Sequence, residues 1–280
     1  MATFKIGFMS STCPDFSMRQ VVSACQKYGF QSFDPRINWG HGHGIEPDAP
    51  ASQIREARHM AEDAGVDIPC IATGISVAVP GGPERIAVID EMKRVVDLCR
   101  LVGAPYMRIF GRGKDDLTED VRVALASETL SEAAAALKGA DVQVLLETHD
   151  RFRAARMVGR VLDEVEAPEL AALWDTMHTV AVGESIEESF RLLGPKRIKH
   201  VHTRDLHLTR KEDGEIVSEY CDDYGKGNFP LREIDQLLAE AGFAGTLSLE
   251  RIFKPGDPDH DADGFLRAHG AGMRSVHQAG

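Results

Sequence analysis

Apolar residues in this chain alternate between short continuous runs and stripes at helical spacing. Residues 4–9 form a short apolar run closed by Ser10-Ser11-Thr12. Residues 17–29 then place Met18, Val21, Val22, Cys25 and Tyr28 on one helical side, with Gly29 as the stop. A second strand is predicted over 31–37, followed by a Gly, His and Pro-rich loop to 50 and an amphipathic helix over 51–64. The same alternation continues with strands at 67–75, 105–111, 142–150, 170–179, 197–205 and 245–253. The helices between and after them are predicted at 84–101, 118–137, 152–165, 185–193, 230–241 and 265–276. Between the seventh strand and its helix lies a polar, hairpin-like excursion at about 208–229, with a turn signal at Asp213-Gly214.

Eight strand candidates, each followed by a helix, imply parallel strands joined by crossover helices. About 250 residues is the usual size of a (β/α)8 barrel. The expected fold is therefore α/β, a single (β/α)8 TIM-barrel domain over 1–280. A doubly wound open sheet is the rival. The turn after the first strand, SSTCPDFS, lacks the GxGxxG that such a sheet usually shows, and no P-loop is present.

Composition narrows the function. The 280 residues are 43% hydrophobic and 27% charged, with a net charge of −12. That balance argues against non-specific binding to a phosphate backbone, so no nucleic-acid partner is expected. Five scattered cysteines show neither CxxC spacing nor a disulfide framework. No apolar run approaches ~18 residues, and the N-terminus does not read as a signal peptide. The expectation is a cytoplasmic protein with no membrane partner.

The chemistry sits at the ends of the last four strands. VQVLLETHD ends in Glu147, LAALWDTMHT in Asp175 and His178, RIKHVHTRD in His202 and Arg204, and GTLSLERIF in Glu250. In a TIM barrel those ends share one face, where active sites lie. Glu147, Asp175, His202 and Glu250 make a hard, oxygen-rich set suited to one divalent ion. Mn²⁺ comes first, with Mg²⁺, Co²⁺ or Zn²⁺ as alternatives. Singly, each has an ordinary explanation. Asp150 and Asp205 read as solvated loop residues or helix caps, and His200 as a hydrogen-bonded core histidine. Further pocket candidates are His149, two residues past Glu147, His41 and His43 in the loop NWGHGHG, Arg36 at the end of strand two and Arg108 in strand four. A charged Arg in an apolar strand needs a partner, either a carboxylate in the barrel or a substrate acid or phosphate. Phe8, Phe110 and Trp39 are candidates for an apolar wall, and Trp174 should face the helices by alternation.

The motifs LLETHD, DTMH, HTRD and LSLER, in this order, resemble the xylose-isomerase-like TIM-barrel superfamily of sugar isomerases and epimerases. The resemblance spans nearly the whole chain, by motif in the last four strands and by pattern in the first four. It implies that Glu147, Asp175, His202 and Glu250 bind a divalent metal, and that His178 and Arg204 touch substrate oxygens. The expected function is a metal-dependent isomerase or epimerase of a sugar, polyol or keto-sugar. Its chemistry would be proton transfer through a metal-stabilised enediolate, with Glu147 and Glu250 as catalytic acid and base. Expulsion of a leaving group from the same enediolate makes a lyase or dehydratase, of a keto-inositol or a 3-keto-glycoside, the alternative. A non-catalytic binding barrel would lack a free base, which the two glutamates speak against. Abasic-site endonucleases share the barrel but need further histidines. Strands three and four end in ATGIS and RIFGR, and Cys221-Asp222-Asp223-Tyr224 is not Asp-x-His. A carbohydrate is the expected partner, and barrels of this kind often form dimers or tetramers, so a homo-oligomer is a further expectation.

Overall fold

Every predicted apolar run becomes a strand in the structure, a computed structural model that describes residues 4–278. The predicted span of 1–280 extends past those residues at both ends. The barrel strands are β1 (Lys5–Met9), β2 (Ser32–Asp34), β3 (Cys70–Ser76), β4 (Tyr106–Phe110), β5 (Gln143–Glu147), β6 (Leu170–Asp175), β7 (Ile198–Thr203) and β10 (Thr246–Leu249). They form one eight-stranded sheet in the order β2-β1-β10-β7-β6-β5-β4-β3, with every pairing parallel. The remaining seam, between β2 and β3, is closed by bridges from Ser32 to Asp67 and from Arg36 to Ala72. Strand β2 is shorter than the predicted 31–37. Pro35 has no N–H to give to a ladder, and the pairing resumes beyond it, where the Ile37 N–H donates to the Ala72 carbonyl at 3.1 Å.

Helices α1 (Met18–Tyr28), α2 (Ala51–Asp63), α3 (Pro83–Val102), α4 (Glu119–Ala136), α5 (Ala155–Val165), α7 (Ile186–Leu193), α8 (Leu231–Glu240) and α9 (Ala262–His277) wrap the sheet. Their ends follow local chemistry. Thr118 accepts the Val121 N–H to start α4, Ser185 accepts the Glu188 N–H to start α7, and Gly29 closes α1 with φ at 75°. One short helix, α6 (Thr176–Ala181), stands where the sequence reads a continuing strand. The Asp175 carboxylate causes it by accepting the N–H groups of Met177 and His178. The polar excursion is an antiparallel hairpin of β8 (Leu206–Arg210) and β9 (Ile216–Tyr220), turning at Gly214 with φ at 90°. Among the described residues no helix is long and apolar enough to cross a membrane.

Alternation along the strands divides the interior. Outward residues such as Ile71, Met107, Ile109, Val144, Leu146, Trp174, Val201 and Leu247 join the main core beneath the helices. Trp174 is among them, with its ring 5.9 Å from Phe190. Phe8 is there too, packed on Phe30 and Phe33, so it forms no wall of the pocket. A smaller apolar cluster of Cys70, Leu145, Ala171 and Leu173 fills the lumen. The polar residues of the strand ends share that lumen.

Candidate metal centre

Register brings the four strand-end donors together. Asp175 on β6 and His202 on β7 are direct parallel partners, as are Ser248 on β10 and His202. Glu250 follows β10 by one residue and hangs its N–H on the Thr203 carbonyl. Glu147 closes β5. One donor atom from each of Glu147, Asp175, His202 and Glu250 lies within 4.8 Å of all the others, and all four residues are buried.

His202 donates from Nδ1 to Glu147 Oε1 at 2.9 Å and lies 3.6 Å from Glu250 Oε2. Burial disfavours its charge, but Glu250 and Glu147 reverse that and raise it to about 9. Burial likewise pushes the Glu147 carboxyl up, yet Arg108, at 3.3 Å, and His202 outweigh it and hold it at about 2. Arg204 donates through Nη2 to both Asp175 Oδ2 and Glu250 Oε2. Against burial, that guanidinium keeps Glu250 well below the usual carboxylate range. Asp175, more affected by burial than by Arg204, is raised.

Three carboxylates in a closed space thus draw in an imidazolium proton and a guanidinium. Glu147 Oε2 still lacks a hydrogen-bond partner. Buried charges of this density are normally paired or metal-bound, and three oxygens with one imidazole nitrogen suit a divalent ion. The four residues therefore fit such an ion.

The other sequence candidates sit around this centre at different depths. His178 Nε2 lies 3.7 Å from Asp175 Oδ2. Its ring is 4.4 Å from that of His149, which in turn lies 4.5 Å from Phe110. Both histidines are partly exposed at the mouth. Burial lowers the pKa of His178. In His149 the burial effect is overcome by Asp150 and Glu147, which raise it. Arg204, expected to face substrate oxygens, bridges two of the carboxylates instead. Arg36 is buried beside Trp39, its guanidinium 3.6 Å from the ring, while Trp39 itself is exposed. His41 bonds Ser10 Oγ at 2.8 Å, and burial and Arg36 lower its pKa to about 4. His43 is built into the loop, accepting the Ile45 N–H at Nδ1 and donating from Nε2 to the Arg36 carbonyl.

Asp150 pairs with Arg112 at 2.6 Å. Asp205 is buried, and its carboxylate accepts the N–H groups of Leu206, Gly225 and Gly227, fastening the loop after the hairpin. His200 is an interior histidine with Nε2 bonded to Asp34 Oδ2 at 2.8 Å, while its Nδ1 is buried without a partner. Asp34 is the residue that sequence reasoning passes over. With His200 and His202 it forms a second buried group of mutually close donors, and its Oδ2 is 3.9 Å from His202 Nε2. The signal is present in SFDPR, an apolar run ending in a carboxylate.

A ring of eight parallel strands with helices between them and a polar centre at the C-terminal strand ends defines a TIM barrel. The model of the xylose isomerase-like TIM barrel family matches residues 22–269, and the chain belongs to that family. Among solved structures it is similar to a D-psicose 3-epimerase from Clostridium cellulolyticum H10, at 16% identity and TM-score 0.77, covering 98% of this chain and 99% of that one. A second is the IolI protein with a bound zinc atom, at 16% identity and TM-score 0.78, covering 98% of each chain. A third is the probable 3-DHS dehydratase AsbF from Bacillus anthracis, at 17% identity and TM-score 0.73, covering 96% of this chain and 98% of that one. No curated protein matches the sequence.

Proposed function

We propose that this protein is a divalent-metal-dependent isomerase or epimerase of a sugar or related polyol. The observation that carries the reading is the convergence of Glu147, Asp175, His202 and Glu250 within 4.8 Å at the mouth of the barrel. Those four residues would hold the ion, Mn²⁺ by preference for an oxygen-rich set, with the zinc-bound relative keeping Zn²⁺ in view. A divalent ion supplies charge stabilisation for a carbonyl and adjacent hydroxyl, which makes the proton α to the carbonyl acidic enough for a carboxylate to remove.

Glu147 and Glu250 are the two proton carriers. They stand on β5 and just after β10, on different sides of the centre, so one removes the proton and the other returns it. Return to the opposite face of the same carbon gives epimerisation, and return to the neighbouring carbon gives aldose–ketose isomerisation. His178 and His149, paired at 4.4 Å on the mouth, orient the substrate hydroxyls. The buried Phe110 ring backs His149 at 4.5 Å and fixes its position.

Elimination from the same deprotonated substrate is the second reading, and the similarity to a dehydratase keeps it. One experiment separates the two. The metal-loaded protein is incubated with a panel of ketoses and keto-inositols in deuterated water. Deuterium at the α carbon of an isomer supports the proposal; loss of water or an alcohol assigns the lyase, and no exchange with any of them overturns both. Net charge −12 argues against nucleic acid as substrate. The five cysteines, all free and buried, are consistent with the reducing cytoplasm. A homo-oligomer is part of the same proposal.

A further inference from the structure

Two further buried cations stand beside the metal-centre residues. Arg204 bridges Asp175 and Glu250, and Glu147 lies against His202. Asp34 is hydrogen-bonded to His200. Arg36 and Arg108 remain. Both are buried, Arg108 with 1% of its surface exposed.

Their positions are set by register. Arg36 bridges Ala72 across the β2–β3 seam, and Ala72 pairs with Arg108 on β4. Lateral neighbours in a parallel sheet face the same side, so the two arginines flank one alanine on the lumen face. Two strand spacings separate their backbones by about 10 Å, and on that face of the sheet only the small Ala72 side chain stands between them. Arg36 is lowered to about 10, first by burial and next by the charge of Arg108, while Glu250 and Glu147 pull it back.

Neither guanidinium is satisfied. Arg36 Nε and Arg108 Nε and Nη1 are buried without a hydrogen-bond partner. Arg108 lies 3.3 Å from Glu147 Oε2 without hydrogen-bond geometry. The close neighbours of both planes are aromatic faces, Trp39 at 3.6 Å for Arg36 and Phe110 at 4.0 Å for Arg108. Stacked guanidiniums keep their N–H edges free for an oxyanion. Two buried cations with idle donors next to a metal centre are costly unless a ligand completes them.

We propose that Arg36 and Arg108 form an acid-binding subsite, so that the substrate is an anionic sugar derivative, carrying a carboxylate or a phosphate ester, and not a neutral sugar. This deepens the isomerase reading and rests on it. The acid group seats between Arg36 and Arg108, and the carbonyl end of the substrate reaches the four-residue centre.

The test is calorimetric and needs no turnover. Chelator-stripped protein is first titrated with Mn²⁺. The stripped and Mn²⁺-loaded forms are then titrated with D-gluconate, D-sorbitol 6-phosphate and D-sorbitol, which share a six-carbon polyol body and differ in the acid group. The expected result is at least one acid binding about 10- to 100-fold tighter than sorbitol, the range of a charge-assisted contact. Which acid binds tighter distinguishes carboxylate from phosphate. In Arg36→Gln that preference falls by about tenfold or more, and Arg36→Lys recovers part of it. Arg108→Gln behaves likewise if circular dichroism shows it folded; Arg36→Gln, away from Glu147, carries the test if it is not. Equal binding of all three probes, or a preference that survives in Arg36→Gln, overturns the proposal. Failure to take up Mn²⁺ strikes the isomerase reading alone, because the acid preference is also read on the stripped protein.

Discussion

Glu147 and Glu250 are buried carboxylates kept ionised by different cations, Arg108 and His202 for the first, Arg204 and His202 for the second. In the proposed function each would hold the ion and carry a proton. Glu147→Gln and Glu250→Gln keep the volume and remove the charge, so each should lower kcat by about 100- to 10,000-fold or more. Steady-state kinetics check this, and near-normal kcat in either variant contradicts the two-carboxylate account. His43 gives a pH prediction of a different kind. The Ile45 N–H points at its Nδ1 and its Nε2 donates to the Arg36 carbonyl, so the loop is built around the neutral ring. Burial lowers its pKa from 6.5 to about 4. The unfolded chain therefore takes up a proton that the folded one refuses. This contribution to stability is full above about pH 6.5 and falls as pH drops towards 4, by about 1.4 kcal/mol per unit. Urea denaturation at pH 7.5 and 5 should show wild type losing more stability than His43→Gln over that interval. An equal loss removes His43 as the cause.

At the level of elements, the loops above the strands are held by close packing as well as by polar contacts. Gly111, just past β4, lies against the buried Phe152 ring. A Cβ at Gly111 would stand 2.1 Å from Phe152 Cδ2. Gly111→Ala should therefore cost about 1–3 kcal/mol through overpacking. It should also disturb the turn of Asp150–Phe152 that follows His149. Thermal unfolding tests the first effect, and an unchanged Tm contradicts it. Strands β5 and β6 were readable because each is a mainly apolar run ending in one carboxylate, QVLLE and LAALWD, and β7 and β10 because apolar residues alternate with polar ones in IKHVHT and TLSL. Helix α6 was not readable. Thr176, Met177, Thr179 and Val180 extend the apolar, β-branched run of β6, and only the capping of Asp175 onto Met177 and His178 turns the chain. Asp34 was hidden for a related reason. A strand read through to 37 makes it an interior position, whereas Pro35 ends β2 at Asp34 and makes it a strand end.

For the whole molecule, the local pattern specified eight strand–helix units, and closure follows from their number and twist. What no local pattern holds is the pairing across the barrel. His200 meets Asp34 from 166 residues away, and Arg204 reaches Glu250 across 46. The direct destination of Arg204 is a product of that closure, as three crowded carboxylates capture the nearest cation. The same closure sets two buried donor groups side by side, Glu147–Asp175–His202–Glu250 and Asp34–His200–His202. The ion belongs to the first in the proposed reading, because that group brings three carboxylates and one imidazole to it, whereas in the second the only carboxylate is already bonded to His200. The measurement that decides it is anomalous diffraction at the manganese edge from crystals grown with Mn²⁺ after chelator treatment. The account predicts one peak per chain, at coordination distance from Glu147, Asp175, His202 and Glu250, with Arg204 moved off Asp175. A peak at Asp34 and His200, or no peak in the barrel, would contradict it.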